Sequence, residues 1–131
     1  MYRLRVLPSS SHGVVDYLVA VLLLLAPMAL GFGPADGAAL WVPRLMGAIV
    51  LGQSLATDYE LGLWKMIPFR VHQGMDAVVG LVLIASPWAF GFAGHGPNAW
   101  APPVLAGVAE LALATLSQRW AYPGHHPRAR A

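Results

Sequence analysis

The 131-residue chain contains no cysteine, and only 11% of it is Asp, Glu, Lys or Arg. The first absence excludes disulfides, thiolate metal sites and cysteine nucleophiles. The second leaves too little charge for a water-exposed surface, because soluble domains carry about 25% charged residues. Hydrophobic residues make up 57% of the chain and its mean hydropathy is +0.59, which argues against a disordered chain, a nucleic-acid-binding domain or a soluble globule. Lipid is the expected solvent. A Gly-rich phosphate loop, a nucleophile elbow and a zinc-peptidase motif are also missing, so no enzyme is expected.

What is present is a series of long apolar runs. A hydrocarbon core of about 30 Å needs about 20 mostly apolar helical residues, and residues 14–30, 38–56, 75–90 and 99–116 approach that length. Glycine- and proline-rich linkers at 31–37 and 91–98 are short, so each pair of runs reads as a helical hairpin. The middle connection carries Asp58, Glu60, Lys65 and Arg70 among Leu61, Leu63, Trp64, Met66, Ile67 and Phe69, and is expected to lie in the membrane interface.

Sliding the chain along itself by 60 residues aligns His12 with His72, Asp16 with Asp76, Val19 with Val79, Leu23 with Leu83 and Pro27 with Pro87. With Ala29/Ala89, Gly31/Gly91 and Phe32/Phe92 this gives 8 identities over the 21 positions 12–32. The second helices add Ala39/Ala99, Pro43/Pro103, Leu45/Leu105, Gly47/Gly107 and Leu51/Leu111. The chain is therefore a tandem repeat of a two-helix unit. The expected fold is an all-α membrane protein of four transmembrane helices, two tandem helical hairpins related by a pseudo-two-fold along the membrane normal. It forms one membrane domain over 1–131, with repeat 1 at 12–56, an interfacial connection at 57–71, repeat 2 at 72–118 and a tail at 119–131. Arg3, Arg5, Lys65, Arg70, Arg119, Arg128 and Arg130 flank one side and Arg44 the other, which places both termini in the cytoplasm and the protein in the plasma (inner) membrane. Trp41, Trp88 and Trp100 are expected at the outer interface, with Tyr17, Tyr59, Trp64, Phe69, Trp120 and Tyr122 at the inner one. The first run imitates a signal peptide but recurs as the third, so it is read as a membrane helix.

Ser86-Pro87-Trp88, followed by Ala89-Phe90-Gly91-Phe92 and echoed by Ala26-Pro27-Met28-Ala29-Leu30-Gly31-Phe32, resembles the SPW repeat of small membrane proteins. The resemblance covers about residues 12–118. It implies two transmembrane helices per repeat with the triplet in the first, and it brings no activity to transfer. In the first copy Ala26-Pro27-Met28 replaces the triplet, so a role for the serine or the indole cannot require both copies. Physically, Pro87 cannot donate to the carbonyl of Leu83, and Ser86 can bond back to a carbonyl freed in this way. Trp88 then sits at headgroup depth, and Gly91 permits the turn.

Chemistry can reside in few places. On a helix His12, Asp16, Val19, Leu23 and Pro27 fall within an arc of about 80°, as do their counterparts 60 residues on, and this face is expected to point at the bundle axis. Each histidine lies one turn from its own aspartate, so His12/Asp16 and His72/Asp76 are expected to pair within each repeat. The four form a candidate polar cluster: a latch joining the repeats, a proton relay, a divalent metal site or a haem or pigment site. The latch is the reading adopted, with no metal and no cofactor assigned. Glu110, deep in the fourth run, is the costliest residue, and Gln53 is its expected hydrogen-bond partner. Arg44 is expected to snorkel to the headgroups. Ala48, Gly52 and Ala56 form a small-residue stripe for packing inside the bundle or between protomers. His125-His126 in the tail is read as solvated.

The function expected from these residues is that of a non-enzymatic structural, accessory or self-assembling membrane component. Its partners would be the lipid bilayer and a homo-oligomer or larger membrane complex, without nucleic acid. The alternatives are a proton- or cation-handling protein using His12, Asp16, His72, Asp76 and Glu110, and a membrane subunit with a metal or cofactor on His12 and His72.

Overall fold

The computed structural model describes residues 5–122. Four long helices follow one another: α1 (Ser9–Ala29), α2 (Ala38–Ala56), α3 (Phe69–Ala89) and α4 (Pro97–Leu116). Single 3₁₀ turns at Pro34–Asp36 and Ala93–His95 join the helices of each hairpin. Two short strands, β1 (Thr57–Asp58) and β2 (Ile67–Pro68), pair in parallel between α2 and α3. Arg3, Arg128, Arg130 and the His125-His126 pair lie outside the described residues.

Local chemistry sets the helix bounds. Pro8 and Pro68 hold extended backbone at the cap positions, with ψ of 154° and 139°, and α1 and α3 begin directly after them, several residues before the apolar runs start. At the other end Pro27 and Pro87 sit inside the last turn of α1 and α3. The chain then leaves through Gly31 and Gly91, whose φ values of 93° and 74° belong to the left-handed region that glycine adopts without strain. The carbonyl of Leu83, deprived of an amide partner by Pro87, accepts the Ser86 hydroxyl at 2.8 Å. Trp88 is 62% exposed beside it, pointing away from the bundle.

α1 packs chiefly on α2 and α3 on α4, while α1–α4 and α2–α3 contacts close the ring of helices. The apolar centre consists of Val19, Ala20, Leu23, Met46, Val50, Val79 and Leu83. Small residues let the backbones of each hairpin approach. A methyl group at Gly107 would lie 2.6 Å from the Gly80 carbonyl, and one at Gly47 would lie 3.0 Å from the Ala20 carbonyl. These two contacts are the same contact 60 residues apart. Of the stripe on α2, Ala48 and Gly52 face outward and take no part in packing the bundle, while Ala56 is half-buried.

The outer surface is apolar, with Leu18, Leu22, Leu25, Leu45, Ile49, Leu81, Leu105 and Val108 exposed. In water such a surface would be an aggregation site; in lipid it is the ordinary exterior. α1, α2 and α4 are long and apolar enough to cross a membrane. α3 has the same 21 residues as α1, but Arg70, His72, Gln73 and Asp76 in its first two turns lower its average hydropathy. Trp41, Trp88 and Trp100 are exposed at the end bearing the hairpin turns, and Trp64 and Trp120 at the opposite end. Tyr59 and Phe69, read from sequence as interfacial, are instead 0% and 4% exposed. They turn inward because they cover buried polar groups, as described below.

The same shift joins the ends of the repeats. Thr57 pairs with Ile67, and Leu7 pairs in parallel with Ser117, so the end of α2 is stitched to the start of α3 as the end of α4 is to the start of α1. Arg5 adds a guanidinium bond to the Ser117 carbonyl at 3.1 Å.

Replacing Gly107 by Ala should separate α3 from α4 and destabilise the protein by about 1–3 kcal/mol. Thermal unfolding in detergent should show a lower midpoint for Gly107→Ala, and little change for Gly52→Ala, where a methyl group meets nothing within 4 Å.

Candidate functional site

The site is built from the first turns of α1 and α3 and the last turns of α2 and α4. His12, Asp16, His72 and Asp76 all project into the bundle and all are 0% exposed. The sequence suggests pairing within each repeat, and the structure shows closer pairing across repeats. His12 Nε2 lies 2.9 Å from Asp76 Oδ2 and 3.3 Å from its own neighbour Asp16 Oδ2. His72 Nε2 lies 2.8 Å from Asp16 Oδ2 and 3.2 Å from Asp76 Oδ2. Two nitrogens and two oxygens thus alternate around one small ring. The i,i+4 spacing brings each couple onto one helix face, and the approach of α1 to α3 then offers each imidazole a better acceptor on the other helix.

The remaining imidazole nitrogens are held by hydroxyls that sequence reasoning missed. His72 Nδ1 is 2.7 Å from Thr57 Oγ1, and His12 Nδ1 is 2.7 Å from Ser117 Oγ. Thr57 donates its only hydroxyl proton to the Gln53 carbonyl at 2.6 Å, so it must accept from His72, whose Nδ1 therefore carries a proton. Thr57 and Ser117 are themselves 60 residues apart, and that hydroxyl pair in register was the available signal.

Gln53 does not bond to Glu110 as expected; its amide donates to Asp76 Oδ1. The reason is proximity: Gln53 is one turn before Thr57 at the same end of α2, and so reaches the cluster. Ser54 reaches Asp16 Oδ2 at 3.4 Å, the weak limit of a hydrogen bond. Glu110 is wholly buried, and among the described residues neither of its carboxyl oxygens reaches a partner with good hydrogen-bond geometry, although its carboxyl lies against that of Asp76. It lies within electrostatic range of Asp76, Asp16 and His72. Asp16 Oδ1 is likewise buried without a partner. Pro27, Ser86, Pro87 and Trp88 lie at the far ends of α1 and α3 and take no part in the cluster.

An aromatic roof closes the site. Phe69 stacks on Tyr59 and on His72, at 5.7 and 6.0 Å between ring centres, while Tyr59 and His72 are themselves 5.7 Å apart, and Phe69 meets His12 edge-on at 5.0 Å. Tyr59 fits because residue 13 is glycine; a methyl group there would fall 2.5 Å from the Tyr59 ring. Outside the roof, Glu60 accepts the Ser9 hydroxyl at 2.7 Å, and Lys65 donates to the Tyr59 carbonyl and to the Tyr122 hydroxyl. These bonds hold the connection between the repeats over the cluster. Near the opposite end of the helices, a cavity of about 10 Å³, room for about one water, is lined by Leu23, Pro27, Pro43, Ala99 and Pro103. It offers no substrate site.

Apolar helices of membrane-crossing length, arranged around a buried polar knot, define a helical membrane protein. The chain belongs to the SPW repeat domain family, whose model matches residues 10–117. No curated protein and no solved structure matches it.

Burial pushes the Tyr59 phenol well above the ordinary tyrosine range, and the nearby Asp16 carboxylate adds to the shift. Above pH about 10 an unfolded chain therefore releases a proton that the fold retains, and stability falls as pH rises from there. In an alkaline titration of the four tyrosines by ultraviolet absorbance, Tyr59→Phe should remove a group that ionises late, and should lessen the alkaline loss of stability.

Proposed function

We propose that this protein is a non-enzymatic membrane component, structural, accessory or self-assembling, whose two repeats are locked into one unit by the crossed His/Asp ring. The supporting observation is that each imidazole is closer to the other repeat's aspartate than to its own. Such bonds act between hairpins, where helix packing is thinnest, and the bilayer makes them the only partners open to those groups. In this reading all four helices cross. The polar residues His72, Gln73 and Asp76 of α3 point inward, and Val78, Leu81 and Val82 line its outer face. The pseudo-two-fold then runs along the membrane normal, and the basic end, with Arg5, Lys65, Arg70 and Arg119, faces the cytoplasm of a plasma-membrane protein. Partners are lipid and other copies or membrane subunits packed on the outer faces, with no nucleic acid and no bound substrate.

Two experiments test this reading. Asp76→Asn removes one carboxylate from a buried set and should cost about 3–5 kcal/mol of stability in detergent or nanodiscs. An unchanged unfolding profile would end the latch reading. The absence of native cysteine makes topology directly measurable. Single cysteines at Asp36 and His95 should react with a membrane-impermeant thiol reagent applied to intact cells, and cysteines at Leu63 and Gln118 only after permeabilisation.

A second reading, proton or cation handling, draws on the buried carboxyl of Glu110 beside the ring. It requires pH-dependent flux in proteoliposomes that Glu110→Gln combined with Asp76→Asn abolishes; flux that persists in the double variant, or none in the native protein, removes it.

A further inference from the structure

We propose that His12, His72, Asp16 and Asp76 form a binding site for a single divalent transition-metal ion of the zinc class. The inference goes beyond the hydrogen-bonded latch and rests on three features of the ring. The first is convergence: one ligand atom from each residue lies within 4.8 Å of the others, and neighbouring nitrogens and oxygens are 2.8–3.3 Å apart. Donor atoms bound tetrahedrally to one zinc ion at about 2.0–2.2 Å stand roughly 3.3–3.6 Å apart, so shifts of about 1 Å in the side chains admit the ion.

The second feature is the state of the imidazoles. Because Thr57 spends its proton on the Gln53 carbonyl, His72 presents a protonated Nδ1 to Thr57. In the metal-free ring Nε2 donates a second proton to Asp16; a cation displaces that proton, and His72, kept neutral by the Nδ1–H on Thr57, then offers the Nε2 lone pair to the ion. A metal-ligating histidine has this form, its second nitrogen donating to a fixed acceptor that sets ring orientation. Ser117 stands in the same position beside His12.

The third feature is charge. Two carboxylates and one divalent cation sum to zero, which suits a wholly buried site in a hydrocarbon slab. Asp16 Oδ1 is buried with no hydrogen-bond partner among the described residues, so the ring holds an acceptor atom that the protein's own donors leave unsatisfied. Two imidazoles with two carboxylates favour zinc over magnesium or calcium, which prefer all-oxygen sets.

The test uses the full chain, purified without a histidine tag and carrying His125→Ala and His126→Ala so that the tail adds no ligands. The nanodisc-embedded protein is stripped with chelator, offered one equivalent of zinc chloride, separated from free metal and analysed for zinc. About one zinc per chain is expected, and cobalt in its place should give visible ligand-field absorption. Asp16→Asn with Asp76→Asn should abolish uptake. Thr57→Val with Ser117→Ala, which keeps all four ligands, should weaken it about 10–100-fold. Helical, monodisperse native protein that takes up less than about 0.1 zinc per chain overturns the proposal, as does equal uptake by a folded Asp16→Asn/Asp76→Asn variant. Either result leaves the hydrogen-bonded latch intact, since that reading stands or falls on the stability of Asp76→Asn without metal.

Discussion

The structure turns on a rule of the hydrocarbon solvent: a polar group placed inside must find its partner inside. Four ionisable side chains on α1 and α3 are sealed from any outside partner, so they meet one another. That requirement brings α1 to α3, draws Thr57 and Ser117 to the outer nitrogens of the imidazoles, and calls for Tyr59 and Phe69 as a roof. Elsewhere the bundle is held by close backbone approach, because lipid tails are as apolar as leucine and give no hydrophobic drive between helices. The contacts at Gly80/Gly107 and Ala20/Gly47 hold each hairpin together, and the polar ring holds one hairpin to the other.

Much of the fold was legible in the sequence because membranes simplify the code. Long apolar runs with glycine and proline between them mark helices and turns, and the 60-residue shift marks the repeat. The helix starts were less visible, since Ser9 and Phe69 precede the apolar runs and depend on the prolines before them. The two inward aromatics were misread for a physical reason: Tyr59 and Phe69 sit in the connection, where aromatics normally face headgroups, and only the tertiary position of the imidazoles explains their burial.

For the site, helical periodicity placed His12, Asp16, His72 and Asp76 on matching faces, and left open which histidine meets which aspartate. Periodicity describes one helix at a time, whereas the crossed pairing depends on the distance between α1 and α3. The partner of Gln53 was misjudged for the same reason. Glu110 was identifiable as a costly buried carboxyl, while its lack of a well-formed hydrogen bond belongs to the packed structure alone.

The parallel pairing of Leu7 with Ser117 has the same form as that of Thr57 with Ile67, yet a short loop spans only the second joint. The covalent link between the hairpins is thus one of two equivalent seams and not what determines how they fit. A cut within 61–65 disturbs local loop bonds such as those of Leu63 and Trp64 to the Leu55 carbonyl, but leaves both seams and the polar ring in place, so chain order and architecture are separable. It also means that a single hairpin already carries one complete half of each seam, and two free copies could close upon each other as the fused repeats do.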